Sequence, residues 1–208
     1  MDASLVQSLF TRKDGSYLFA RWGRPIVPVV FGVEDATLST VKGAIEAVVT
    51  IAGHKMAETD PELGANLMVF FFRDWDELRH VKDLDRLIPD LHPLLQRLET
   101  AGANQYRAFR FDPSGAIRAS FVFLRMDATL SDLPAADLAL SQAAHAILLW
   151  GDGAFDRVAP LVSDGKKVLL NPQIAALIQA GYDPILPAMS TDPSHALRLS
   201  ARVATKLT

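Results

Sequence analysis

The side chains available for acid-base or metal chemistry are five histidines, at 54, 80, 92, 145 and 195, and 24 acidic residues, with no cysteine. The lack of cysteine rules out thiolate nucleophiles, disulfides, and cysteine-ligated zinc or iron-sulfur sites. A zinc site on a helix needs two histidines one turn apart, so that both imidazoles face one ion, with a glutamate after the first as general base. The window Ser141-Gln142-Ala143-Ala144-His145 has that length but matches at His145 alone. Serine is a poor zinc ligand, and a neutral amide takes no proton from water. No metal and no cofactor is therefore expected, and His145 reads as a partly buried histidine bonded to a neighbour. Catalysis would need groups from separate elements to converge. The candidates for such a dispersed site are His145, Asp152 and Gln142, joined by one of the acids that follow the predicted strands.

Those acids are Glu34-Asp35 and Asp74-Trp75-Asp76-Glu77. The carboxyl ends of parallel strands are where ligands bind in open α/β sheets. Acids are equally favoured in the first turn of a helix, where free N–H groups and the dipole attract them, and capping is the preferred reading. Asp152-Gly153-Ala154-Phe155-Asp156 begins like a calcium loop, yet Arg157 and Val158 do not continue the alternate oxygen ligands. It reads as a solvated turn. Arg21-Trp22-Gly23-Arg24-Pro25 offers two guanidiniums and an indole to an anion or a partner surface; a surface salt bridge with a tryptophan folded onto the core explains it equally well.

The elements that must position these groups are read from period and punctuation. Residues 131–151 predict a core helix, capped by Ser131 or Asp132 and ended by Gly151, with water reaching only a strip around Asp137 and Ser141. Residues 26–33 read as a buried strand, which Pro28 places at a sheet edge or starts at Val29. The three-four spacing over 37–56 predicts a helix that frays at Gly53, and 67–72 a second strand, parallel to the first through a right-handed crossover. Two short helices, broken near Pro89 and Pro93, are expected over 75–100. Residues 105–112 and 117–125 form a hairpin about Asp112-Pro113-Ser114-Gly115. Asp164-Gly165 is a turn and 172–181 a short helix.

The expected architecture is α+β, with α/β character in its first half: a mixed sheet of about four strands under the 37–56 and 131–151 helices. One domain over 1–208 is expected, with 1–24 as an N-terminal arm or hairpin and 182–208 as a C-terminal wrap and helix. Half of the residues are hydrophobic, and the formal charge is -3 with acids and bases interleaved. A nucleic-acid partner would call for a basic stripe, and three scattered tryptophans make no stacking platform. No stretch reaches the roughly 18 uninterrupted apolar residues of a membrane span, so no membrane is expected and the cytoplasm is the expected location.

Leu140-Ser141-Gln142-Ala143 with Gly151-Asp152 downstream, and Ile174–Met189 with its Gly181-Tyr182-Asp183-Pro184 and Pro187-Ala188-Met189 steps, resemble an uncharacterised bacterial family, domain of unknown function 2927, itself distantly zincin-like. The resemblance implies a zincin-like layout over about residues 20–190. Ala139, Leu140 and Ser141 stand where that family usually has a glutamate on its central helix, so the metal motif is degenerate. The function expected first is a non-catalytic binding or interaction domain for a protein or small-molecule ligand. The alternative is a hydrolase, metal-dependent or metal-free, with a dispersed site around His145. Whether the chain is an enzyme stays open, with the weight against. A third reading is a homodimer through a patch containing Phe70, Phe71, Phe72, Phe121 and Phe123.

Overall fold

Runs of β-branched and aromatic residues make the central strands, and the amphipathic segments between them supply the covering helices. The computed structural model describes residues 1–206. In chain order the elements are α1 (Ala3–Leu9), β1 (Phe19–Ala20), β2 (Pro28–Phe31), α2 (Asp35–Ile51), β3 (Leu67–Phe72), a 3-10 helix (Trp75–His80), α3 (Leu84–Leu87), α4 (Leu91–Thr100), β4 (Gln105–Phe111), β5 (Ile117–Arg125), α5 (Ala128–Ser131), α6 (Ala135–Ala146), β6 (Leu161–Ser163), β7 (Val168–Leu170), α7 (Pro172–Gly181), β8 (Met189–Ser190) and α8 (His195–Lys206). The expected C-terminal segment to 208 runs past the described residues.

The main sheet has the order β2-β3-β5-β4, so β2 and β4 are its edges. β2–β3 and β3–β5 are parallel, and β4–β5 is the antiparallel hairpin. The fold is thus α+β with a mixed four-stranded sheet. Pro28 opens the edge strand β2, where a missing N–H does least harm. α2 is the crossover between β2 and β3. It packs with α6 over the face carrying Leu67, Val69, Val122 and Leu124. The opposite face presents Phe70, Phe72, Phe121 and Phe123 to Trp75, Leu78 and the leucines of α3 and α4. Those four phenylalanines are buried. Each gains about 1.5–3 kcal/mol by that burial, so they form no dimer patch. Among the described residues no helix is long and apolar enough to cross a membrane.

Several expected elements are corrected. The central helix is shorter than 131–151. Pro134, in an extended conformation, stands at its N-cap without a side-chain bond, and Ser131 and Asp132 instead end α5, which Asp127 caps. At the other end the chain leaves the helix after Ala146 to pair with the N-terminus: Leu149 N–H donates to Ala20 O and Gly151 N–H to Leu9 O. Gly151 does not end the helix in a left-handed conformation. It lets two backbones approach, since a Cβ there would lie 2.3 Å from Thr11 O.

Residues 1–24, expected as an arm or hairpin, pack on the body of the protein. They form α1, a turn at Asp14-Gly15 closed by a Thr11–Tyr17 bridge, and β1, which pairs with β8. Val6, Leu9, Phe10, Phe19 and Trp22 lie inside the main core. Residues 75–100 hold three short helical pieces rather than two, and Pro93 lies in the first turn of α4, where its missing N–H would have had no helical partner anyway.

Candidate functional site

Strand β4 has its neighbour β5 on one side only, and its pleat sends alternate residues to opposite faces. Tyr106 and Ala108 join the aromatic core under α4. Arg107 turns the other way, under α6. Facing β4 is the segment 149–156, which follows α6. Its shape comes from Trp150, whose indole N–H donates to Ala144 O (2.9 Å) and whose ring stacks on Phe10 (5.3 Å). Phe155 packs against Trp150 (4.9 Å) and edge-on against His145 (4.5 Å). Asp152 ties the segment to the N-terminal turn, accepting from Lys13 N–H (2.9 Å) and pairing with Arg12 (3.7 Å). Between β4 and this segment runs a cleft of about 510 Å³, with Arg12, Arg107, Arg110, His145, Asp152 and Asp156 as its polar lining together with Tyr106.

His145 lies near the C-terminal end of α6. Its Nδ1–H donates to Ser141 O, one turn back, at 2.7 Å. A carbonyl can only accept, so this bond fixes the neutral tautomer and leaves Nε2 as an acceptor. No partner for Nε2 is found among the described residues, and the ring lines the cleft. Burial first, and then the nearby Arg107 cation, push its pKa down to about 4, against the Ser141 bond. It is a neutral imidazole at neutral pH.

Arg107 is the electrostatic centre of the cleft. Its Nη2 donates to Gln105 Oε1 (2.9 Å) and to Gln142 Oε1, and Gln142 Nε2 donates to Gln105 Oε1 (3.0 Å). The three side chains close a ring of neutral acceptors around a cation. Nε is walled off without a partner, no hydrogen bond is made by Nη1 among the described residues, and the side chain lines the cleft. Among the described residues no carboxylate lies within ion-pair distance of it. Burial lowers its pKa to about 10. A half-buried guanidinium without an opposite charge gives up part of its hydration, which two amides only partly replace.

The three dispersed-site candidates do come together in this region, but not as a relay. His145 and Asp152 share the cleft, yet no hydrogen bond joins them, and the Asp152 carboxylate is taken by Arg12 and Lys13. Gln142 is buried behind the cleft and holds Arg107. The strand-end acids lie elsewhere: Asp74 and Glu77 form a capping box, and Asp35 lies in the first turn of α2. The 152–156 segment is a turn, and among the described residues no group of three or more histidines and acids is placed to hold a metal ion. In the Arg21–Pro25 stretch the indole of Trp22 is buried and bonded to Ala146 O, Arg24 pairs with Asp60 and Glu62, and Arg21 lies over the Tyr182 ring, so this segment is core and ion pair rather than an anion site. Tyr182, from the Gly181-Tyr182-Asp183-Pro184 step, donates to Ile147 O (2.8 Å) and braces the end of α6.

The residue that sequence reasoning missed is Arg107. One signal was present: in the alternation of Gln105–Phe111, Arg107 falls on the same face as Phe109, which packs on the main core, so the strand carries a charge pointing inward. Comparison with protein-family models, with curated proteins and with solved structures finds no match to this chain.

Proposed function

We propose that this chain is a non-catalytic binding domain, on a layout resembling a zincin with a degenerate metal motif, and that its cleft takes an anionic ligand anchored by Arg107. The observation that carries this reading is the half-buried guanidinium whose protein partners are all neutral. An anion in the cleft would supply the charge that the fold withholds, in a partly dry site where such a pair is strong.

The hydrolase alternative rests on the open Nε2 of His145, and the surroundings of that atom weigh against it. A base with a pKa of about 4 has little affinity for a proton at neutral pH. A backbone carbonyl rather than an acid orients the ring. Among the described residues lining the cleft there is no serine or threonine to act as nucleophile. Titration with acetate and phosphate at low ionic strength tests the binding reading. Saturable binding in the wild type that disappears in Arg107→Gln is expected. Equal binding by that variant, or an esterase or peptidase activity lost in His145→Ala, would overturn it.

A further inference from the structure

The same cleft narrows the chemistry of its occupant. We infer that the ligand is a small organic monocarboxylate with an O–H or N–H donor next to the carboxylate and an apolar, aromatic-compatible body. The inference rests on the anion-binding reading of Arg107 and goes beyond it on three observations.

First, the cleft lining carries three guanidiniums, Arg12, Arg107 and Arg110, against two carboxylates, Asp152 and Asp156, which leaves one net positive charge. Arg107 Nη2 is held by two amides and Nε is walled off, leaving Nη1. Arg12 is paired with Asp152, and Arg110 donates to Leu87 O (2.8 Å) and Phe109 O (3.1 Å). Asp152 and Asp156 stand in the same lining. A dianion such as phosphate would exceed that single net charge beside two carboxylates, whereas a monoanion meets one charge with one charge.

Second, His145 Nε2 is an acceptor by tautomer and has no protein donor among the described residues. A ligand that covered it with a bare carboxylate oxygen would place two acceptors against each other. One that brings an O–H or N–H satisfies it, and the asymmetry between a made and an unmade bond at a covered site favours the second strongly. Third, the remaining lining is apolar and largely aromatic: Phe109, Phe111, Leu149, Trp150 and Phe155. Phe111, in that lining, is 43 % exposed. Ring faces at that position suit an apolar body attached to the acid group, and about 510 Å³ is room for an organic molecule rather than a bare ion.

A 2-hydroxy acid and the C-terminal residue of a peptide both present this pattern, the donor being the hydroxyl in one and the amide N–H in the other. Calorimetric titration of the whole protein with 3-phenyllactate, N-acetylphenylalanine, 3-phenylpropionate and inorganic phosphate separates the cases. Phenyllactate or N-acetylphenylalanine should bind roughly tenfold more tightly than phenylpropionate, which lacks the donor. Preference for N-acetylphenylalanine identifies a peptide C-terminus as the source, and preference for phenyllactate a free hydroxy acid. His145→Phe should erase the difference while keeping carboxylate binding. The wild-type comparison stands even if that variant does not fold. Phenylpropionate binding as tightly as the donor-bearing acids, or phosphate binding most tightly, overturns this inference and leaves the anion reading intact. If none of the four binds, the anion reading itself falls.

Discussion

Two arginines in this molecule are placed under protein in opposite ways. Arg24 meets carboxylates, Glu62 at 2.9 Å and Asp60 at 3.4 Å. Burial alone would raise Asp60, but bonds from Leu63 N–H, Glu62 N–H, Asn66 and Arg24 bring its pKa down to about 2. Arg118 also pairs with Glu62, at 2.6 Å, so two cations meet two carboxylates there. Arg107 meets only Gln105 and Gln142. The first corner has its counter-charges as folded, whereas among the described residues the second has none. Neutral amides can hold a guanidinium in place without using up its charge, and that difference separates a brace from a binding site.

Acid should break the comparison most broadly. The folded pKa of His145 and of His195 is about 4, against 6.5 when unfolded. Between those values the unfolded chain takes up protons that the folded one refuses, so the histidine contribution to stability falls as pH drops from about 6.5 to about 4 and is complete below. Each histidine accounts for about 3 kcal/mol of that loss. Urea midpoints across this range should decline, and His145→Gln should remove its share of the slope. Asp60 stays ionised down to about pH 2, so the Arg24 corner should survive acid that sets a second cation beside Arg107.

Removing the matched corner directly should cost somewhat less. Asp60→Ala leaves two backbone N–H groups and the Asn66 amide without their acceptor, and urea denaturation should register a loss of about 2–4 kcal/mol. Making the second arginine resemble the first should act on binding instead. Gln142→Glu gives Arg107 a carboxylate in place of an amide oxygen, and the affinity for 3-phenyllactate should fall about tenfold or more with the fold retained. Unchanged affinity would show that the Arg107 charge is not what the ligand meets. Smallest in stability is the effect of Arg107→Met. It should abolish anion binding yet raise stability by about 1 kcal/mol, because an unmatched charge is exchanged for an apolar chain of similar length. A destabilised variant would mean that the amide ring is worth more than the charge it holds.

The fold was legible in the sequence wherever the signal was local. The run Leu67–Phe72, the turn Asp112–Gly115 between alternating strands, and the three-four spacing of α2 each specify their element from a few adjacent residues. The end of α6 was not legible, because Ile147–Gly151 leaves the helix for the carbonyls of Ala20 and Leu9, far away along the chain. The site was legible in pieces. Gln142 stands out as a neutral residue where a base would be, and His145 as a lone imidazole. What they are for depends on Arg107, and whether an arginine has a counter-charge is decided by residues that only folding brings near it.

The seam where Gly151 lies against Thr11 gives that cleft an unusual dependency. Backbone touches backbone there with no room for a methyl group, and Asp152 clasps the main chain of Lys13 beside it. The outer wall of the cleft is therefore gauged by the backbone of Thr11 and Lys13, which acts as a shim beneath it, so changes at those two residues reach the cleft without lining it.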